Sequence, residues 1–393
     1  MRNLSLIHGG IALIQIRNQI DALIDKTVLT GFTITSIADP EKLLTDGILI
    51  VKNGSSKKIL LENCAFDSVI LPESSLFDRF VYTYGPHGVY AELDLSIHEP
   101  LPPEELEEAS YKKPYHNLNC WHMRDLWHRI KCIVSQLYSL YGITMDVSKI
   151  KFRYIEINRT FLIKDSYDLY ERPIELLLSL VRPRLRLKEH DFFSADHHTE
   201  HVSQYQRRPA TFIKDSGKNG ISVKIYDKGA QLNQTVKDRI FPNCIRFELT
   251  LKTPRKVREY LKSNVVSDIS DEDLNQCLNA FIRDNIYGQY PKRIQLRDQY
   301  LQTLLKKLSK SDDRYWRKTF LLELMHQETK SHVPLLLSLD SLRPILQLTD
   351  RDRRSRYDTM KSMRNVCARH CTIFLRGDQT RLDELLQKLL PKG

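Results

Sequence analysis

The sequence has no apolar run approaching the roughly 18 residues that a membrane-spanning helix needs. This argues against a transmembrane helix, and the lack of a basic amphipathic anchor makes a membrane surface a poor partner. Its first residues, Met1-Arg2-Asn3-Leu4-Ser5-Leu6-Ile7-His8, lack a long apolar core followed by small residues. No secretory signal is expected, and the expected location is cytoplasmic. Internal repeats and low-complexity tracts are also missing. Cysteine is sparse: the 7 residues are scattered and odd in number, which fits reduced thiols better than a disulfide framework. Cys367, His370 and Cys371 cluster, but no second cluster nearby completes four zinc ligands. Buried thiols on a helix are the simpler expectation there.

What the chain does have is length and an uneven charge. At 393 residues it exceeds one typical domain, and its 41% hydrophobic and 28% charged residues are ordinary for a folded protein. Residues 1–110 hold 8 Lys and Arg against 16 Asp and Glu, a net of −8. The remainder holds 52 against 33, a net of +19 within the total of +11. A basic body of this kind suits a polyanion, and nucleic acid is the natural one.

Apolar periodicity predicts a helix over 10–30, through Ile11, Leu13, Ile14, Ile16, Ile20, Leu23 and Ile24. Strands are predicted at 47–52, 58–64, 79–84 and 89–97, with turns at Asn53-Gly54 and Pro86-His87-Gly88. Pro100, Pro102 and Pro103 then break the chain ahead of an acidic run, 104–108, expected as a solvated helix face. A helix over 121–141, a strand over 151–160 and a helix over 167–181 follow. Residues 182–188 read as a short strand or a loop lying on phosphates. Two more strands are expected at 221–227 and 244–252, and helices throughout after about 270. The middle is therefore α+β and the C-terminal third α, with divisions expected at 1–65, 66–262 and 263–393.

Side chains alternate faces along a strand. Ser222, Lys224, Tyr226 and Lys228 thus oppose Val223, Ile225 and Asp227, while Arg246, Glu248, Thr250 and Lys252 oppose Ile245, Phe247, Leu249 and Leu251. Tyr154, Glu156 and Asn158 oppose Ile155 and Ile157, and Tyr90, Glu92, Asp94 and Ser96 oppose Val89, Ala91, Leu93 and Leu95. Any antiparallel sheet with one wet face shows this pattern. The polar set here, however, gathers carboxylates, lysines and a tyrosine. Carboxylates suit Mg²⁺ or Mn²⁺, which prefer oxygen ligands. A phenol with a free pKa of about 10 becomes a usable nucleophile beside an ammonium and a polarised phosphate. On the strand alone, Tyr226 reads equally as a tyrosine stabilising cross-strand pairs.

In order, Val89–Ser96, His116-Asn117, Tyr154–Thr160, Val223–Leu232 and Ile245–Lys252 resemble the filamentous-phage gene II/X type of rolling-circle replication initiator. The family pattern is a strand near a His-Asn pair, an Arg/Tyr-Ile-Asp/Glu strand, a Tyr-x-Lys strand and an Arg-Phe-Glu strand. The resemblance covers roughly residues 66–262. It implies an antiparallel sheet of HUH-like or RRM-like nuclease type with helices on one face, plus an α-helical C-terminal domain. It implies nicking of one strand at an origin through a 5′-phosphotyrosine, followed by rejoining, without an energy cofactor. By the same resemblance Tyr226 is the nucleophile and Lys228 its assisting base or charge. Glu156 and Glu248 are then metal ligands, with Glu92 and His116 as further members, and Mg²⁺ or Mn²⁺ as the cofactor. DNA is the implied partner, with a host helicase and polymerase acting after the nick.

The chain departs from the pattern in two places. It contains no His-x-His, and Pro100–Tyr115 is acidic where the family carries small residues before His-Asn. His190, His197, His198 and His201 offer imidazoles or a polar loop. Tyr84 and Tyr205 are further phenols that could serve a second strand transfer, though nothing in their spacing singles them out. Lys224, Arg246, Arg182, Arg184, Arg186, Arg207 and Arg208 are candidate DNA contacts, together with Lys188. Arg314-Tyr315-Trp316-Arg317-Lys318 and Arg351–Arg356 are later basic runs, and 357–370 fits a helix laid in a groove. Two other readings stay open. A relaxase or single-strand transposase uses the same chemistry, and a non-catalytic nucleic-acid-binding protein keeps the fold without the reaction.

Overall fold

A computed structural model describes residues 21–52, 57–96, 99–100, 115–116, 120–171, 173–174, 177, 188–194, 210–215, 220–235, 243–308, 337–338, 354, 357–358, 373–374 and 378–390. The chain divides into two compact units. The first is Met1–Leu162, Ser203–Pro209 and Asp215–Leu278; the second is Ile163–Val202, Ala210–Lys214 and Asn279–Gly393.

The first half of the chain supplies β1 (Leu23–Thr30), β2 (Thr33–Ile37), α1 (Pro40–Thr45), β3 (Leu49–Ile50), β4 (Ile59–Leu60), β5 (Ala65–Phe66), β6 (Ser68–Leu71), β7 (Arg79–Gly85) and β8 (Gly88–Ser96). There follow β9 (Glu99–Pro100), β10 (Tyr115–His116), α2 (Met123–Tyr141), β11 (Ile143–Asp146) and β12 (Lys151–Leu162). Further on come β13 (Lys188–Ser194), β14 (Ala210–Asp215), β15 (Ile221–Asp227), α3 (Lys228–Thr235), β16 (Cys244–Leu251), α4 (Pro254–Leu261), α5 (Asp271–Asn285) and α6 (Tyr290–Leu308). The last elements are β17 (Leu337–Ser338), β18 (Ile373–Phe374) and α7 (Asp378–Leu389). The fold is mixed α and β around a large antiparallel sheet.

Within the first unit the sheet runs β15-β16-β12-β1-β8-β7-β6-β3, and each neighbouring pair in that run is antiparallel. The expected helix over 10–30 is corrected in its described part: Leu23–Thr30 is a strand at the middle of the sheet. Leu23 and Ile24 fit either period, but Thr27, Val28 and Thr30 are β-branched and favour a pleated backbone. Hydrogen-bonded partners on both sides, β12 and β8, then settle the conformation. Residues 10–20 lie outside the described part.

The apolar set of the central strands forms the core, with Ile155, Ile157, Val223, Ile225, Ile245, Phe247, Leu249 and Leu251 all buried. Each such side chain contributes about 1.5–3 kcal/mol when fully buried. Helix α4 packs on β12 and β16 through Val257 and Leu261; Thr253 caps it by accepting from the Lys256 amide at 3.3 Å. In α2 the buried residues Met123, Leu126, Ile130, Ile133 and Leu137 recur every three or four positions, the spacing of one helix face. Asp125 closes its first turn by accepting from the His122 amide at 3.1 Å.

Gly31, between β1 and β2, has φ +81°, and a Cβ there would sit 2.6 Å from the Lys149 carbonyl oxygen. Backbone conformation and space both demand glycine. Gly31→Ala is expected to cost about 1–3 kcal/mol, read as a lower urea midpoint at unchanged m-value; an unchanged midpoint contradicts it.

In the second unit the expected helix at 167–181 opens as a 3-10 turn, Tyr167–Leu169. The expectation of helix alone after 270 is also corrected, because β17 and β18 pair in parallel. Two-residue strands carry too little period for sequence to register them. Tyr170 donates to Glu384 at 2.8 Å and Arg381 pairs with Asp165 at 2.9 Å, tying α7 to the 3-10 turn and the residues just ahead of it.

Candidate functional site

The site grows from register. Pairing of β15, β16 and β12 sets three polar rows on one face: Ser222–Thr250–Glu156, Lys224–Glu248–Asn158 and Tyr226–Arg246–Thr160. Two irregularities then add side chains that strict alternation would not supply. Between Ile24↔Ile157 and Lys26↔Glu156, β1 carries an extra residue, Asp25. Between Val28↔Tyr154 and Leu29↔Phe152, the extra residue is Arg153 of β12. Bulges of this kind re-aim a side chain. Asp25 is turned toward Arg246, whose Nη1 donates to Asp25 Oδ2 at 3.0 Å.

Asp25, Glu156 and Glu248 are all buried, with one oxygen from each lying within 4.8 Å of the others. Among the described residues they are the group whose carboxylates can share one ion. Cations and phenols surround them. Lys224 Nζ lies 3.3 Å from Glu156 Oε1 and 3.4 Å from Glu248 Oε2. The Tyr226 hydroxyl donates to Glu248 Oε1 at 2.5 Å, and the Tyr154 hydroxyl donates to Glu156 Oε1. Arg246 is 0% exposed and is fixed at its Nε by Thr160 Oγ1, 2.8 Å away. Asn158 Nδ2 donates to the Leu23 carbonyl at 3.1 Å and to Cys120 Sγ at 3.0 Å, holding β1 and the Cys120 segment against β12.

Burial and charge set the ionisation. Glu248 is pushed up to about 7 by burial, then by the neighbouring Asp25 and Glu156 carboxylates, which outweigh the help of Lys224 and Arg246. Burial and Glu248 raise Tyr226; burial and Glu156 raise Tyr154. Burial works against the charge of Lys224, but Glu248 and Glu156 outweigh it and lift its pKa. Lys228 is lowered to about 8 by burial and then by Arg246.

Tyr226, Lys228, Glu156 and Glu248, expected together from sequence, do converge here, and Lys224 and Arg246 join them. The placement of Lys228 is corrected: β15 ends at Asp227, and Lys228 opens α3. Asp227 Oδ1 accepts from the Ala230 amide at 2.8 Å, which turns the strand into the helix in the manner of an N-cap. Lys228 is 0% exposed; its Nζ sits 5.7 Å from the Tyr226 ring centroid and donates to Gln231 Oε1 at 2.9 Å. Arg246, expected on DNA, is corrected to a buried partner of Asp25. Glu92 is not in the carboxylate cluster; it accepts from Arg153 Nη1 at 2.8 Å, and that guanidinium lies over the Tyr90 ring at 5.3 Å.

The backbone of His116 lies in β10, paired to β9, and that of His190 in β13; their side chains lie outside the description. Arg182, Arg184, Arg186, Arg207, Arg208, His197, His198, His201, Tyr205, Cys367, His370 and Cys371 lie outside the described residues. So do the acidic run 104–108 and the basic run 314–318. Asp25 was missed by sequence reasoning. The available signal was a lone acid inside an apolar, β-branched run, Leu23-Ile24-Asp25-Lys26-Thr27-Val28.

No protein-family model matches the chain, and no curated protein matches it. Among solved structures, the chain is similar to a rolling circle replication initiator protein from Geobacillus stearothermophilus. Identity is 12%, the match covers 68% of this chain and 85% of that one, and the TM-score is 0.32. An overlap of that size carries no argument about activity, which has to come from the site's own residues. No described helix is long and apolar enough to cross a membrane.

Proposed function

We propose that this chain is a tyrosine-dependent DNA nickase and strand-rejoining enzyme of the rolling-circle initiator type, acting on origin DNA in the cytoplasm and assisted by Mg²⁺ or Mn²⁺. The observation that carries the reading is a phenol, Tyr226, hydrogen-bonded at 2.5 Å to a member of a three-carboxylate cluster.

The donor set fits a hard divalent cation. All three groups are oxygen donors, and the repulsion from Asp25 and Glu156 that adds to burial in raising Glu248 is what a cation among them relieves. Asp25, Glu156 and Glu248 would hold it, and when bound it would polarise the oxygens of the scissile phosphate. The chain's own groups do the rest. Glu248, whose Oε1 accepts the Tyr226 hydroxyl at 2.5 Å, is placed to take the Tyr226 proton. Lys228, over the ring, offsets charge developing on the phenolate. The Tyr226 oxygen forms a bond to phosphorus while the bond from phosphorus to the 3′ oxygen breaks. The 3′ oxygen leaves as a hydroxyl after gaining a proton, and the 5′ phosphate stays on Tyr226. Attack by a 3′-hydroxyl reverses the step and restores the phosphodiester, so no nucleotide cofactor is required.

A relaxase or single-strand transposase would use the same residues and differ in its DNA. One observation favours the non-catalytic reading: Tyr226 is only 7% exposed, and its hydroxyl is already satisfied by Glu248. Peptide mass analysis after incubation with single-stranded origin DNA and Mg²⁺ or Mn²⁺ separates the two. A nucleotide adduct on the Tyr226 peptide is expected; nicking with an adduct elsewhere, or no nicking of any cognate DNA, rejects the proposal.

The ligand set has its own test. Glu156→Gln and Glu248→Gln are each expected to weaken Mn²⁺ binding by at least the order of 10- to 100-fold that losing an outer partner of a ligand costs, with nicking falling in parallel. Unchanged Mn²⁺ affinity and nicking in both variants would remove these residues from the site.

A further inference from the structure

Two of the cations around the carboxylates differ in one physical respect. Arg246 is fully enclosed and fixed by Asp25 and Thr160. Lys224 keeps 29% of its side chain exposed and carries its charge on a flexible four-carbon stem. It is seated mid-strand in β15, directly across from Glu248. From there its ammonium bridges Glu156 Oε1 and Glu248 Oε2 at 3.3 and 3.4 Å. These are two of the three carboxylates that make up the donor set for a divalent ion.

We propose that Lys224 is an exchangeable counter-cation: it holds Glu156 and Glu248 together in the ion-free protein and yields them when a divalent cation binds. The inference rests on the metal-site reading above and extends it. Three carboxylates crowded this closely repel one another. Arg246 compensates Asp25, and Lys224 serves the other two. An ion taking oxygens from both glutamates withdraws the partners that hold the ammonium and places two further positive charges beside it. Arg246 has no route outward, whereas the Lys224 stem does. The released ammonium then lies at the rim of the site, where an incoming phosphate is the available anion. The ion-free fold thus gains a satisfied cluster and gives up part of its metal affinity.

Two measurements on the full-length protein test this. In the first, free Mn²⁺ is titrated by its electron paramagnetic resonance signal against wild type, Lys224→Gln, Lys224→Arg and Glu156→Gln. Lys224→Gln is expected to bind Mn²⁺ about tenfold more tightly than wild type, since close charge pairs couple by about that much or more. Lys224→Arg, which keeps the charge, is expected to stay near wild type. Lys224→Gln binding no tighter than wild type overturns the inference. If wild type binds Mn²⁺ and Glu156→Gln loses it, the metal site stands even so. No Mn²⁺ bound by wild type overturns the metal site and the inference together.

The second measurement needs no variant and so does not depend on Lys224→Gln folding. Wild type is acylated with an amine-reactive reagent, and the Lys224 peptide is quantified by mass with and without saturating Mn²⁺. Labelling of Lys224 is expected to rise several-fold with the ion while other lysines stay level. Labelling that is unchanged or falls overturns the inference.

Discussion

Tyr226→Phe is expected to abolish nicking and the covalent DNA–protein species, by roughly 10³-fold or more, because no other group at that place can form the ester. That loss corresponds to about 4 kcal/mol of transition-state stabilisation. The substitution keeps the ring, its burial and its place beneath Lys228, so the fold survives. It removes one hydrogen bond to Glu248, worth about 1–3 kcal/mol with a charged acceptor, which urea unfolding would register. Mn²⁺ binding should persist, since Asp25, Glu156 and Glu248 are untouched. The informative companion is Tyr154→Phe. Tyr154 also donates to a cluster carboxylate, Glu156, but among the described residues no lysine ammonium lies over its ring as Lys228 does over Tyr226. Relaxation of a supercoiled origin plasmid should therefore survive Tyr154→Phe and fail in Tyr226→Phe. The reverse pattern would move the nucleophile to Tyr154, and nicking retained in both would reject a tyrosine of this cluster.

The parts of the site legible in the sequence are those governed by a period of two. Strands at 79–84, 89–97, 151–160, 221–227 and 244–252 show it plainly, and their polar members Glu156, Tyr226 and Glu248 were readable for that reason. Where the period breaks, the reading broke with it. Asp25 is an extra residue in a bulge, and no alternation rule places an extra residue on a face. It also sits in a run whose leucines and isoleucines match a helical stripe as well as a strand. Glu92 shares the face by alternation, yet the second bulge delivers Arg153 to it, and a guanidinium contact takes the place of an ion. Lys228 was counted along the strand by carrying the alternation one residue past Asp227, although Asp is disfavoured in strands and favoured at helix starts. Only the Asp227–Ala230 bond shows that the helix begins there. Alternation also separates faces without telling a wet one from a covered one. Arg246 therefore looked like a phosphate contact, whereas every residue of β16 is buried.

That burial makes Arg246 the residue whose loss should cost the fold most. In Arg246→Leu, Asp25 would keep its buried position without the guanidinium held at 3.0 Å, and Glu156 and Glu248 would remain within 4.8 Å of it. Leaving one partner of a buried pair uncompensated costs about 3–5 kcal/mol, a large share of the roughly 5–15 kcal/mol that stabilises a typical protein. Arg246→Lys should fall between the two, since it keeps the charge but loses the fork that reaches Thr160 and Asp25 together. Asp25→Asn combined with Arg246→Leu should recover much of the loss, because the carboxylate that faced the guanidinium is then neutral; the double-mutant cycle isolates the pair. Mn²⁺ should stabilise Arg246→Leu more than it stabilises wild type, since the ion replaces the missing positive charge and adds its binding free energy to the folded state. Urea unfolding with and without Mn²⁺ measures all of this. A phosphate-contacting arginine behaves in the opposite way: its removal weakens DNA binding and lowers the salt dependence while leaving the unfolding midpoint in place. Arg246→Leu losing less than about 1 kcal/mol would return Arg246 to that role and leave Asp25 in need of another counter-charge.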